Sequence, residues 1–300
     1  MRRSLIYSCI LTYGVTVNPF PMVNSTLRIV AISLLAVVAG FANAADKEPH
    51  TANPAGLRGP AKKDIAMQLV SSAENSSLDW KAQYGYVEYN VEKNEKENRG
   101  YTAGIIGFTS RTHDLLELVR YYVKIAPGNV LAQYLPVLEK IDGTPSKEGL
   151  GKPFEKAWKA AAADPKFREA QTCERDRVYF DPAVDQAQAD GLHELGQFLY
   201  YDAIVMHGPG DDPNSFGGIK ASAMKNAKPP SEGGDEATWL NAFLDARKDA
   251  MKAEEGHQDT SRVDTMQRKF VQAGNLRLEP PLEFEVYGDK YKIDLPSPGK

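Results

Sequence analysis

The residues that could do chemistry in this chain are carboxylates. Glu74 stands at the end of a helical pattern beside apolar Ala73 and Leu78, and a charged stretch, Glu92-Lys-Asn-Glu-Lys-Glu-Asn-Arg99, follows it. Hydrolysis of a glycosidic bond uses two such groups. One is kept protonated by poorly solvated surroundings and donates to the leaving oxygen, while the other stays ionised. Spacing alone leaves a plainer alternative at both places, a solvated helix cap and a solvated hairpin, because carboxylates are mostly exposed. Other chemistries lack their parts. His193-Glu194 begins like a zinc-protease helix, but Gln197 stands where the second histidine belongs. His207-Gly-Pro-Gly210 lacks the lysine and hydroxyl of a phosphate loop, and the sequence has no G-x-S-x-G elbow.

The elements that must position these carboxylates are mostly helical. Pro60 opens a pattern in which Ile65, Leu69, Val70 and Ala73 share one face, predicting a helix over 60–74 that fails at Asn75-Ser76-Ser77. Tyr84, Tyr86, Val87 and Tyr89, and later Tyr101 to Phe108, predict two or three short strands, the one β-like part of the chain. Further helices are expected over 113–125, 131–140, 154–163, 235–255 and 261–273, and Pro280-Pro281 starts an extended tail. The longest candidate spans 181–207 and is apolar all round, which belongs in the middle of a domain. The expected fold class is therefore mainly α (α+β), with one small sheet and a long central helix linking two lobes around a cleft.

Composition narrows the partners. The 300 residues carry 36 Lys+Arg against 40 Asp+Glu, a formal charge of −4, so nothing is available to neutralise a phosphate backbone and nucleic acid is excluded. Cys9 and Cys173 are too few for a disulfide framework and lack zinc-site spacing. From Met22 a basic start, an apolar run over 29–41 and Ala42-Asn43-Ala44 read as an export signal that is cleaved after Ala44. The apolar run is shorter than the roughly 20 residues that span a bilayer. Residues 1–21 precede this start and are either an over-called beginning or an extension of the signal. Removal of 1–44 takes away Arg2, Arg3 and Arg28 and no acid, so the secreted chain carries −7. Residues 45–60 read as a loose Pro/Gly/polar leader, and 61–300 as a single two-lobed catalytic domain.

Residue identities go beyond spacing. Ile65-Ala-Met-Gln-Leu-Val-Ser-Ser-Ala-Glu74-Asn-Ser-Ser-Leu-Asp-Trp80, Arg99-Gly-Tyr-Thr-Ala-Gly-Ile-Ile-Gly-Phe108 and Glu174-Arg-Asp-Arg-Val-Tyr-Phe-Asp-Pro-Ala183 resemble segments of the chitosanases of glycoside hydrolase family 46. Tyr200-Tyr-Asp-Ala-Ile-Val-Met-His-Gly-Pro-Gly210, Ser215-Phe-Gly-Gly-Ile219, Phe243-Leu-Asp-Ala-Arg247 and Asp259-Thr-Ser-Arg-Val-Asp264 continue the resemblance in order, over about 61–293. It implies a lysozyme-like, two-lobed helical fold and endo-hydrolysis of β-1,4 links between glucosamine units of chitosan with inversion. It implies no metal or organic cofactor. The expected partner is the chitosan polysaccharide, with no membrane once the signal is removed and a monomeric chain. A mature charge of −7 suits a polymer that is cationic in mild acid.

By the same resemblance Glu74 matches the family's general acid, and Thr102 the threonine that helps hold the attacking water. The family's base is an aspartate two residues before Arg99, and Glu97 occupies that position here, in a stretch about five residues longer than in close relatives. Glu92 and Glu95 are neighbouring alternatives. An inverting pair sits roughly 6.5–9.5 Å apart, so the extra methylene of a glutamate needs compensation from the longer loop. Asn75, Tyr86, Arg99, Asp114, Tyr179, Glu254 and His257 match cleft positions that bind substrate, and Gln258 stands where the family has an acid. Asp202, Arg247 and Arg262 match a buried ion network, and Asp202 needs a partner on physics alone because it lies in an apolar helix. Two rival readings remain: a lysozyme-like muramidase or chitinase, and a chitosan-binding protein whose hydrolytic site decayed through the change at Glu97. The intact Glu74, Arg99 and Thr102 argue against decay.

Overall fold

Helix boundaries follow the capping chemistry along the chain. In the computed structural model, which describes residues 55–91, 93, 95, 98–254 and 258–294, α1 (Pro60–Asn75) has its proline in the first turn. It ends at Ser76, whose φ of 50° closes the helix in the left-handed region. A 3₁₀ turn (Trp80–Gly85) leads to an antiparallel sheet of β1 (Val87–Tyr89), β2 (Tyr101–Ala103) and β3 (Phe108–Thr109), in which Thr102 faces Glu88 on one side and Thr109 on the other. Then come α2 (Asp114–Ile125), α3 (Leu135–Ile141), α4 (Gly151–Ala161) and α5 (Pro165–Arg175). The last is capped by Asp164, whose carboxylate accepts from the Lys166 N–H at 2.8 Å.

A π-helical turn, Asp176–Phe180, carries the chain into α6 (Asp181–Ala189), α7 (Glu194–His207), α8 (Phe216–Ala223) and α9 (Glu236–Ala253). A second π-helical turn, Arg262–Gln267, runs into α10 (Arg268–Gln272), and a hairpin of β4 (Leu282–Val286) and β5 (Asp289–Ile293) follows.

These elements build two apolar cores. The larger is filled from α1, α6, α7, α8, α9, α10 and the hairpin, and every residue of α7 from Glu194 to Ile204 is buried. The smaller gathers the three-stranded sheet with α2, α4 and α5 around Phe108, Phe154, Trp158 and Phe167. Each fully buried Leu or Phe contributes about 1.5–3 kcal/mol relative to exposure. Trp80 and Tyr179 pack against both cores, at the two places where the chain passes between them. The result is a mainly helical α+β molecule with two lobes.

Four expectations need correction. The helix over 181–207 is two helices, because Gly191 takes a φ of 81° between α6 and α7. A Cβ there would also press on the Cβ of Pro230 and the Ser231 amide, each at 3.2 Å. The leader over 45–60 is not loose from Ala55 onward. Leu57 is fully buried, its N–H donates to Gln197 Oε1 at 2.8 Å, and Arg58 pairs with Asp185 at 2.8 Å. The tail after Pro281 is instead the β4–β5 hairpin, with Leu282, Phe284 and Val286 turned into the larger core. The protein accordingly has two small sheets rather than one. The export signal over 1–44 lies outside the described residues.

Candidate active site

Glu74 occupies the last turn of α1, on the larger lobe, and is exposed. It is more open than the poorly solvated setting expected for it: its neighbour Ala73 is buried, while its own side chain is 32% accessible and its carboxylate accepts from Arg262 Nη1 at 2.5 Å. Arg262 is nearly inaccessible, and its Nε and Nη2 donate to Asp202 at 2.9 and 2.6 Å. Asp202, fully buried in α7, also receives Arg247 Nη1 at 2.7 Å and Gln267 Nε2 at 2.5 Å. Burial opposes ionisation of Asp202, but the two guanidinium groups outweigh it and hold the carboxyl down at about 2. A fixed negative charge thus anchors Arg262, and Arg262 in turn fixes the side chain of Glu74. Four residues singled out in the sequence are one continuous chain of charge-assisted hydrogen bonds.

Gln267 escaped the sequence reading. It bridges Asp202 and Arg247, to which it offers Oε1 at 2.9 Å, and it shares the π-helical turn with Arg262. Widening of a helix by one residue is frequent at functional sites. The other π-helical turn carries Tyr179. His207 was also missed: it is buried at the end of α7, with Nε2 3.5 Å from Arg247 Nε and Nδ1 3.9 Å from Glu254. Glu254 caps α9 and is half-buried.

Others of the residues singled out in the sequence lie on the smaller lobe or outside the described residues. Thr102 lies on β2, and its Oγ1 is inaccessible with no hydrogen-bond partner among the described residues. Glu97 and His257 lie outside the described residues, as does Glu92. The backbone just after Glu97 is tightly held. Asn98 is buried, its Oδ1 accepts from the Gly100 N–H at 2.7 Å, and its carbonyl accepts from Arg111 Nη1 at 3.1 Å. Gly100 has a φ of 79° and lies so close to Ser110 Oγ that a Cβ could not fit. Glu95 is exposed and accepts from Asn90 Nδ2 at 3.2 Å. Arg99 is exposed too.

Asp114 and Tyr179 are brought together. Asp114 begins α2 and is buried; its Oδ2 accepts the Tyr179 hydroxyl at 2.6 Å, and its Oδ1 accepts from Thr112 Oγ1 at 2.7 Å and the Thr109 N–H at 2.9 Å. Burial raises the Asp114 carboxyl above its ordinary value, and these three donors oppose the rise. Glu174, also raised by burial, lies near it and is held by Arg177. Asn75 Nδ2 donates to Ser71 Oγ at 3.4 Å, and the Tyr86 hydroxyl donates to Glu88 at 3.1 Å.

The sequence profile described as glycosyl hydrolase family 46 matches residues 68–282. A chitosanase of Streptomyces sp. strain N174 is 60% identical over 278 residues, 90% of this chain and 98% of that protein. A chitosanase of Bacillus subtilis strain 168 is 37% identical over 247 residues, 78% and 84% of the two chains. Among solved structures, a chitosanase co-crystallised with substrate superposes with a TM-score of 0.75 at 57% identity, covering 80% of this chain and 99% of that one. The chitosanase of Gynuella sunshinyii in complex with chitotetraose gives 0.70 at 33%, over 78% and 98%. Profile, relatives and fold agree over the stretch that carries the charged chain from Glu74 to Arg262, and the protein belongs to glycosyl hydrolase family 46.

Proposed function

We propose that the protein is a secreted, endo-acting chitosanase that hydrolyses β-1,4 links between glucosamine units with inversion. The observation that carries this reading is an exposed glutamate at a helix end, fixed by an arginine that is itself locked to a buried carboxylate. The substrates and names of the similar proteins support the choice of chitosan. The signal over 1–44 supports export, and the catalytic domain is the two-lobed body that begins at about Ala55, where Leu57 joins the larger core, with the polymer lying between its lobes.

In this mechanism Glu74 protonates the glycosidic oxygen from the larger lobe. Glu97 takes a proton from a water that attacks the anomeric carbon on the face of the sugar away from the leaving oxygen. Thr102 Oγ1, without a partner among the described residues, has hydrogen-bonding capacity left to orient that water. The held backbone at Asn98 and Gly100 gives the longer loop a firm end from which a glutamate can replace an aspartate. A misplacement of about 1 Å can cost on the order of 100-fold, so this anchoring matters. Asp114, Tyr179, Glu254, His257, Tyr86, Asn75 and Arg99 are proposed to line the substrate path. Asp114 acts there through its hydrogen bond to Tyr179.

The test is product analysis on chitosan, chitin and peptidoglycan, with the anomer of the new reducing end followed by proton NMR. Chitosan fragments released first as the α-anomer are expected. Cleavage of acetylated polymers only, or release of the β-anomer, contradicts the reading.

A further inference from the structure

Arg247, fully buried on α9, finds an acceptor for each N–H of its guanidinium. Nη1 donates to Asp202 Oδ2 at 2.7 Å and Gln267 Oε1 at 2.9 Å, and Nη2 to the Asp202 carbonyl and Met206 Sδ, both at 3.4 Å. The remaining N–H, on Nε, goes to His207 Nε2 at 3.5 Å. An arginine N–H can only donate, so Nε2 is the accepting nitrogen of the imidazole and Nδ1 is the one that carries the ring proton. Nδ1 lies 3.9 Å from Glu254 Oε1. The His207 side chain is fully inaccessible, whereas that of Glu254 is 32% accessible. Local structure explains why the ring sits there. Arg247 and Glu254 are two turns apart along α9 and share one face of it. His207 is the last residue of α7, and Gly208 behind it takes a φ of 75° while its N–H closes onto the Ile204 carbonyl at 2.9 Å. The helix therefore stops with its imidazole against that face of α9, between the arginine and the glutamate.

We propose that His207 is a positioning residue that links the buried Asp202 network to Glu254 and holds that carboxylate in place for an ammonium group of the glucosamine chain. This rests on the reading of Glu254 as a residue of the substrate path. Asp202 then anchors two arms that reach solvent. One runs through Arg262 to Glu74 and serves the chemistry; the other runs through Arg247 and His207 to Glu254 and serves binding. Loss of the imidazole proton donor takes a restraint from Glu254, and binding must then meet the cost of ordering it. The contact between Arg262 and Glu74 is untouched, so the loss falls on KM rather than kcat.

The experiment measures kcat and KM on a soluble glucosamine hexamer, with melting temperatures alongside. It compares the full chain with His207→Gln, His207→Asn, Glu254→Gln and the double variant His207→Gln/Glu254→Gln. Glutamine presents its amide at the level of Nε2, so it keeps an acceptor for Arg247 and loses the donor toward Glu254. Asparagine presents its amide at the level of Nδ1 and does the reverse. His207→Gln is expected to raise KM about 3-fold with kcat and melting temperature near those of wild type. His207→Asn is expected to melt lower, because a buried Arg247 N–H loses its acceptor, while KM stays within about 2-fold of wild type. This crossed pattern separates positioning from structural support, under which KM would follow the melting temperature. The double variant should bind no worse than Glu254→Gln alone, because His207 acts through Glu254. An unchanged KM in His207→Gln, or losses that multiply in the double variant, overturns the proposal while leaving Glu254 as a binding residue, provided Glu254→Gln raises KM. A Glu254→Gln protein with the wild-type KM overturns the reading of Glu254 and the proposal with it.

Discussion

A carboxylate with no solvent contact survives only with partners, and Asp202 has three: Arg262, Arg247 and Gln267. Its removal strands two buried guanidinium groups. Asp202→Ala is expected to lower unfolding free energy by about 3–5 kcal/mol, read by denaturant titration, and to reduce activity through Arg262 and Glu74. The pH dependence has a definite sign. Asp202 ionises at about 2 in the fold against an ordinary 3.8, so its contribution is fully present above 3.8 and is lost as pH falls toward 2. Acid unfolding followed by circular dichroism should show that loss in wild type, and Asp202→Asn should flatten it. Thr102 makes the opposite prediction. Its Oγ1 has no partner among the described residues, so Thr102→Val should leave the melting temperature nearly unchanged while kcat falls about 10-fold or more. Equal losses of stability and activity would mean that the hydroxyl serves the fold.

At the scale of elements, what was legible depended on whether the signal was local. The faces of α1 and α2 were readable because Ile65, Leu69, Val70 and Ala73, and Leu115, Leu116, Leu118, Val119 and Tyr122, sit at helical spacing and are all buried. The break between α6 and α7 was not readable from periodicity, since apolar residues continue through it; the one local sign was Gly191. Gly191→Ala is expected to destabilise by about 1–2 kcal/mol, from the left-handed backbone together with contact on Pro230 and Ser231. Asp164-Pro165 was a usable start signal for α5 that went unread. The hairpin carried its own signal in the alternation Leu282-Glu-Phe-Glu-Val286 ahead of Tyr287-Gly288, hidden behind Pro280-Pro281. Its inward face, Leu282, Phe284 and Val286, buries only because α10 and the second π-helical turn lie beneath it, which no local pattern reveals. Residues such as Gln267 and His207 were missed for a related reason: a polar side chain inside a helix has no spacing signature, and only the fold tells what it faces.

Over the whole molecule the proposed mechanism is divided between lobes with separate cores, Glu74 on one and Thr102 on the other, joined where Trp80 and Tyr179 touch both. Residue identity in ordered blocks carried more of the functional reading than composition did, because a net charge of −4 is ordinary for a soluble chain while the positions of Glu74, Asp202, Arg247 and Arg262 converge only in three dimensions. The central claim is that this chain cuts chitosan internally with Glu74 as its acid. It is tested most directly by following viscosity and reducing-end release from highly deacetylated chitosan with residues 45–300, wild type beside Glu74→Gln. The account predicts a fast drop in viscosity for wild type, abolished in a variant that melts at the same temperature. A Glu74→Gln protein that cleaves at the wild-type rate, or a folded wild type that binds the polymer without cutting it, would contradict it.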